Sequence, residues 1–166
     1  VQVDGIDIRE CRIRSLRSQV GVVTQETLLF DESIYENIRF PLRMRDIPKD
    51  QHDRMVREAA EIVELGELLD RKPRALSGGQ RQRAALARAV VRHPQVFLMD
   101  EPLSNLDAKL RLTMRGQLKH IQRRLETTTV YVTHDQIEAM TLADRIAIMN
   151  KGKIQQLGTP DEVYNN

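Results

Sequence analysis

Apolar residues recur along this chain with two different spacings, and the changes of spacing mark its elements. Val20–Thr24, Val96–Met99, Thr129–Thr133 and Arg145–Met149 are short apolar or β-branched runs, too short for helices, and read as strands. Val1–Ile8 predicts a strand, a turn at Asp4-Gly5 and a second strand, since Asp-Gly between alternating apolar residues is a hairpin signal. A last strand is predicted over Lys153–Leu157, after a turn at Asn150-Lys151-Gly152.

Between these runs the spacing turns helical. Ser33–Phe40 reads as a short helix stopped by Pro41, and Arg43, Arg45, Asp46, Pro48 and Lys49 as a polar loop. Met55, Val56, Ala59, Ala60 and Val63 share one face of a helix that Gly66 is expected to end. Leu65, Leu68 and Leu69 begin another apolar turn, broken at Lys72-Pro73. Ser77 is a natural N-cap for a helix with Ala84, Leu86, Ala89 and Val90 inward and Gln80, Arg81, Arg83, Arg88 and Arg92 largely outward, stopped at His93-Pro94. Residues 31–93 thus read as a helical insert between strands. Leu106, Leu110, Met114, Leu118, Ile121 and Leu125 form one stripe, read as core, on a helix that Ser104 or Asn105 could cap. Asp135–Ala143 is helical, and Thr159-Pro160-Asp161-Glu162 is a capping box. Strands alternating with helices imply a layered α/β fold.

The chain has 166 residues, enough for one domain with a sizeable core. Its charge is nearly balanced, at a formal net +2, and it has no tryptophan and few aromatics. Both features argue against a nucleic-acid partner, which needs a clustered basic face or stacking platforms. A single cysteine, Cys11, excludes an internal disulfide and fits a reducing compartment. No apolar run is long enough to cross a bilayer as a helix, so a membrane role would run through a partner.

Two stretches carry the chemistry. Leu76-Ser77-Gly78-Gly79-Gln80 opens a helix, and twenty residues on, Val96–Met99 runs into Asp100-Glu101. A helix mouth can hold phosphate oxygens, because its first N–H groups are unpaired and its dipole is positive there. Two glycines in a first turn cost stability, and would let a ligand approach the backbone closely. A carboxylate at a strand end can hold magnesium through water, and its neighbour can polarise an attacking water. Because adjacent strand residues point to opposite sides, the strand must bend or end at Asp100-Glu101 for both to serve one site, consistent with Pro102. Gln25 and His134 also fall at strand ends, which points to one crevice. His134 could donate to a phosphate oxygen where charge develops. Alone, Gln25 reads as a loop glutamine, His134 as structural and Asp-Glu as a solvated turn; their common placement favours a nucleotide hydrolase. No zinc-type Cys/His spacing and no serine-triad signature is present.

These residues resemble the ATP-binding subunit of ABC transporters. Leu76–Gln80 stand as its LSGGQ signature, Val96–Glu101 as its Walker B strand, Ser104–Asp107 as its D-loop, His134 as its switch histidine and Gln25 as its Q-loop glutamine. The resemblance implies a P-loop NTPase-type α/β core over 1–30 and 94–166, incomplete at its N-terminus, with a helical subdomain over 31–93 carrying the signature. It implies ATP and Mg2+, with Asp100 and Gln25 at the metal, Glu101 as general base and His134 sensing the γ-phosphate. Ser77, Gly78, Gly79, Gln80 and Asp107 would bind nucleotide across a head-to-tail dimer of two such subunits. It further implies a transmembrane permease partner and a place on the cytoplasmic face of the membrane.

Leu69–Ala87, Asn105–Arg111, Tyr131–Met149 and Thr159–Tyr164 look most like maltose or multiple-sugar importers, whereas the first forty residues look more like exporter ATPases. A different class, an ABC-type clamp on nucleic acid or ribosomes, is disfavoured by the balanced charge. No Walker A pattern, Gly-x-x-x-x-Gly-Lys-Ser/Thr, occurs in the 166 residues, so the chain reads as a fragment that is inactive alone. Calorimetry with magnesium-ATP is expected to show binding only after a Walker A segment is joined to the chain; tight binding by the 166 residues alone would contradict this account of the phosphate cradle.

Overall fold

The computed structural model describes residues 2–165 except Asp4, Thr27 and Asp46. Three parallel strands form the central sheet in the order β3-β4-β5: β3 Val20–Val23, β4 Val96–Asp100 and β5 Thr128–Val132. The register pairs Val23 with Met99, and Asp100 with Val132. Phe97 and Met99 of β4 are buried, while Val22, Leu98, Val130 and Val132 on the opposite face are exposed. Two antiparallel pairs stand apart, β1 Gln2–Val3 with β2 Ile6–Asp7, and β6 Ile146–Asn150 with β7 Lys153–Gly158. The expected first turn includes Asp4, which lies outside the described residues.

Short α1, Ile13–Gln19, leads into β3. Parallel strands need long crossovers, and here they are helical. Between β3 and β4 lie α2 Ile34–Arg43, α3 Lys49–Ile62, two 3-10 turns (Gly66–Leu68 and Pro73–Ala75) and α4 Gly78–Val90. Between β4 and β5 lies α5 Ala108–Leu125. The chain closes with α6 Gln136–Leu142 and α7 Pro160–Asn165. Ile34, Ile38 and Leu42 of α2, Val56, Ala59 and Ala60 of α3, and Ala84, Ala87 and Val90 of α4 meet in one buried core with Phe97 and Met99.

Three boundaries differ from the sequence pattern. Pro41 does not stop α2, which runs through it to Arg43. Proline removes one helical hydrogen bond, but the extra turn buries Leu42 four residues after Ile38 on the core face. Gly66 does not end α3; Glu64 does, in the left-handed conformation at φ 57°, and Gly66 opens a 3-10 turn. Neither Ser104 nor Asn105 caps α5. Asp107 does, its Oδ1 accepting from the Leu110 N–H at 3.0 Å. The remaining caps fall where expected. Ser77 Oγ accepts from the Gln80 N–H at 3.3 Å while Gln80 Oε1 accepts from the Ser77 N–H at 2.9 Å. Thr159 and Glu162 make the same reciprocal pair before α7.

Gly21 in β3 faces two rings that cannot step aside. A Cβ built there would lie 2.9 Å from both Phe97 Cε1 and Pro94 Cγ. Gly21→Ala is expected to lower stability in urea unfolding by about 1–3 kcal/mol, as overpacking does. Gly116, on the exposed side of α5, meets nothing within 4 Å, so Gly116→Ala should raise it by about 0.5–1 kcal/mol.

Candidate nucleotide-hydrolysis site

Parallel pairing in register delivers the ends of β3, β4 and β5 to the same edge of the sheet. Gln25 follows β3, Asp100 ends β4 with Glu101 next, and His134 follows β5 by two residues. The strand does turn at the carboxylate pair. Glu101 takes the left-handed conformation at φ 43°, while its N–H still donates to the Val132 carbonyl at 2.9 Å. A non-glycine residue held there costs energy, and such strain gathers at functional sites. The kink brings Glu101 Oε2 to 3.1 Å from His134 Nδ1. With Nδ1–H donated to the carboxylate, the other ring nitrogen, Nε2, is left to face a ligand.

Asp100 is exposed, and among the described residues its carboxylate takes no hydrogen bond or ion pair. Asn105 Nδ2 donates to the Gln25 carbonyl at 3.2 Å, tying the turn after β3 to the segment after β4. Farther along, buried Asn37 locks the same connection from α2: its Nδ2 donates to the carbonyls of Phe30, Glu32 and Ser33, and its Oδ1 accepts from the Phe30 N–H at 2.8 Å. Arg88 of α4 donates to the Leu28 carbonyl and lies 5.1 Å from the Phe30 ring centroid, and burial lowers its pKa.

A polar network lies beneath His134. Glu138 of α6 is buried and accepts from the Tyr131 hydroxyl at 3.0 Å and the Thr133 hydroxyl at 2.9 Å. Burial, reinforced by the Glu138 charge, pushes the Tyr131 phenol well above its usual range, so it stays a donor. Asp135 caps α6 through the N–H groups of Ile137 and Glu138 and accepts from Arg115 at 3.2 Å. Arg111, Thr133, Asp135 and Glu138 line, with Glu101, Ser104 and His134, a small crevice. Arg111, Arg115 and Glu138 were not read as site residues from the sequence. The signal available was polar residues flanking His134 and arginines one turn apart on α5.

The structure therefore brings Gln25, Asp100, Glu101 and His134 to one edge. Ser77–Gln80 form a second group at the start of α4, against α5. A Cβ on Gly78 would meet Leu106 and Leu110 at 3.5 Å each, residues that bracket the Asp107 turn. A Cβ on Gly79 would lie 2.9 Å from Leu110 Cδ1 and 3.1 Å from Met114 Sδ. Within this chain the room at Gly79 is taken up by the approach of α5. Among the described residues no hydrogen bond or ion pair joins Ser77–Gln80 or Asp107 to the strand-end group.

Magnesium prefers oxygen donors and keeps several waters. Asp100, exposed and without a partner among the described residues, offers the kind of oxygen donor magnesium takes, and Gln25 follows the neighbouring strand. A cage of three or more His, Cys, Asp or Glu is absent among the described residues.

The fold matches that of an ABC ATPase subunit. The structure of cbiO1 from Clostridium perfringens, described as part of the ABC transporter complex cbiONQ, matches with a TM-score of 0.90 at 29% identity, over 99% of this chain and 67% of that one. Residues 1–104 match the ABC transporter family, to which the chain belongs. It is 62% identical over 147 residues to the trehalose/maltose import ATP-binding protein MalK of Thermococcus litoralis, covering 88% of this chain and 40% of that protein. It is 52% identical over 165 residues to the sn-glycerol-3-phosphate import ATP-binding protein UgpC of Psychromonas ingrahamii, covering 97% and 44%. The chain thus spans about two-fifths of the length of these relatives.

Removing the Asn105 tether should loosen the Gln25 turn. Asn105→Ala deletes one hydrogen bond worth about 1 kcal/mol, so hydrogen exchange at the amides of residues 24–26 is expected to rise about fivefold.

Proposed function

We propose that this chain is part of an ATP-hydrolysing subunit that drives carbohydrate import through a membrane permease. The observation that carries the reading is the Glu101–His134 contact at 3.1 Å beside unpaired Asp100, at the ends of adjacent parallel strands. The relatives named as trehalose/maltose and sn-glycerol-3-phosphate import ATP-binding proteins support import, and a sugar or sugar-like substrate.

In this reading residues 1–30 and 94–166 form the catalytic core, and 31–93 a helical subdomain. Asp100 and the Gln25 side chain would hold magnesium, which neutralises charge on the phosphates. Glu101 accepts the proton of the attacking water, a role worth roughly 10²–10⁴-fold in rate. His134, anchored through Nδ1 on the Glu101 carboxylate, presents Nε2 to a phosphate oxygen where charge develops. Ser77, Gly78, Gly79, Gln80 and Asp107 make no hydrogen bond or ion pair with that edge among the described residues, and in this reading they serve the nucleotide of a second subunit in a head-to-tail, two-fold dimer. No helix of the described residues is long and apolar enough to cross a membrane. The subunit would sit at the cytoplasmic face, docked on its permease through the Gln25 turn and the helical segment.

In the full-length protein, Glu101→Gln should keep ATP binding, lose most turnover and accumulate the ATP-bound dimer, read by phosphate release and size-exclusion chromatography. Steady turnover near wild type would remove Glu101 from the role of base.

A further inference from the structure

Resting on the ATPase reading, we propose that Arg111 is a positioning residue that fixes the spacing of Glu101 and His134 by clasping the two loops that carry them. Its Nη2 donates to the Ser104 carbonyl at 3.2 Å and the Leu106 carbonyl at 2.9 Å. Its Nη1 lies 3.8 Å from Asp135 Oδ2. Both ends of the clasp are wired to the site. The Ser104 hydroxyl donates to the Glu101 carbonyl at 2.8 Å. Asp135 directly follows His134, and its N–H donates to the Thr133 hydroxyl at 3.0 Å. Among the described residues Arg111 alone bonds the loop after Glu101 and also pairs with the loop after β5.

The direct Glu101–His134 contact cannot set this spacing by itself. The His134 side chain is 68% exposed, and water competes for both partners. Arg111 is more enclosed, with a side chain 29% exposed. Two carbonyls and a carboxylate in different directions require a planar fork. Lysine, a point charge on a flexible stem, cannot span them. Arg115, one turn later, holds the same Asp135 oxygen at 3.2 Å and fixes the far jaw, while the loop after Glu101 depends on Arg111.

The test compares Arg111→Met, which keeps the apolar stem, with Arg111→Ala, Arg111→Lys and the control Arg124→Ala. Arg124 lies on the same helix and, among the described residues, donates only to the Glu61 carbonyl, 3.4 Å away. In the full-length protein, amide exchange at residues 104–107 and 133–135 should rise together by about tenfold in Arg111→Met, less in Arg111→Lys, and not in Arg124→Ala. In the full-length ATPase, kcat should fall on the order of tenfold or more while KM for ATP stays within about twofold. If Arg111→Ala fails to fold, Arg111→Met decides the matter. Loops that loosen without loss of kcat, or that do not respond together, overturn the clasp. A wild-type full-length protein that hydrolyses no ATP overturns the underlying reading instead, and the exchange data separate that failure from failure of the clasp.

Discussion

The position of β4 between β3 and β5 is the constraint on which the rest of the structure depends. Parallel strands paired Val23 to Met99 and Asp100 to Val132 must end together. Three turns distant in sequence therefore leave the sheet at one edge, carrying Gln25, Asp100-Glu101 and His134. Parallel pairing also requires long crossovers, which bury Phe97 and Met99 beneath helices on one face. The left-handed turn at Glu101 completes the arrangement. It ends the strand and aims the carboxylate at His134, while the backbone keeps its last ladder bond to Val132.

Turns at a sheet edge would wander if nothing held them, and here most of the holding is done by side chains that bond main-chain carbonyls. Asn37 gathers Phe30, Glu32 and Ser33; Arg88 reaches Leu28; Asn105 reaches Gln25; Arg111 reaches Ser104 and Leu106. Asn105 and Arg111 tie the Gln25 turn and the loop after Glu101, while Asn37 and Arg88 tie the segment that leads on from Gln25. Such bonds add modest stability individually, but several to one turn limit its freedom.

Ser77–Gln80 are held differently. Their reciprocal cap is local, and the helix it opens lies on α5 with Gly79 facing Leu110 and Met114. Both candidate groups thus lean on the first half of α5. Leu110 and Met114 touch the signature turn, and Arg111 and Arg115 touch the loops around Glu101 and His134. Residues one turn apart on one helix serve both.

Much of this was legible along the chain because it depends on short-range physics. Strand runs, the Ser77 and Thr159 capping boxes, the α5 stripe and the placement of Gln25, Glu101 and His134 at strand ends follow from spacing and residue type within a few positions. Three boundaries were not legible. Pro41 and Gly66 are breakers by local propensity, yet burial of Leu42 carries α2 past the first, and Glu64 ends α3 before the second. Asp107 displaces Ser104 and Asn105 as the cap because Ser104 bonds Glu101 and Asn105 bonds Gln25 instead. The sequence by itself determined which chemistry was available and in what order it occurs. Only the tertiary structure decided which groups meet: the Glu101–His134 contact, the Arg111 clasp and the filling of the space at Gly79 all join residues from different elements. Such contacts are set by strand register and helix packing, which no local spacing encodes.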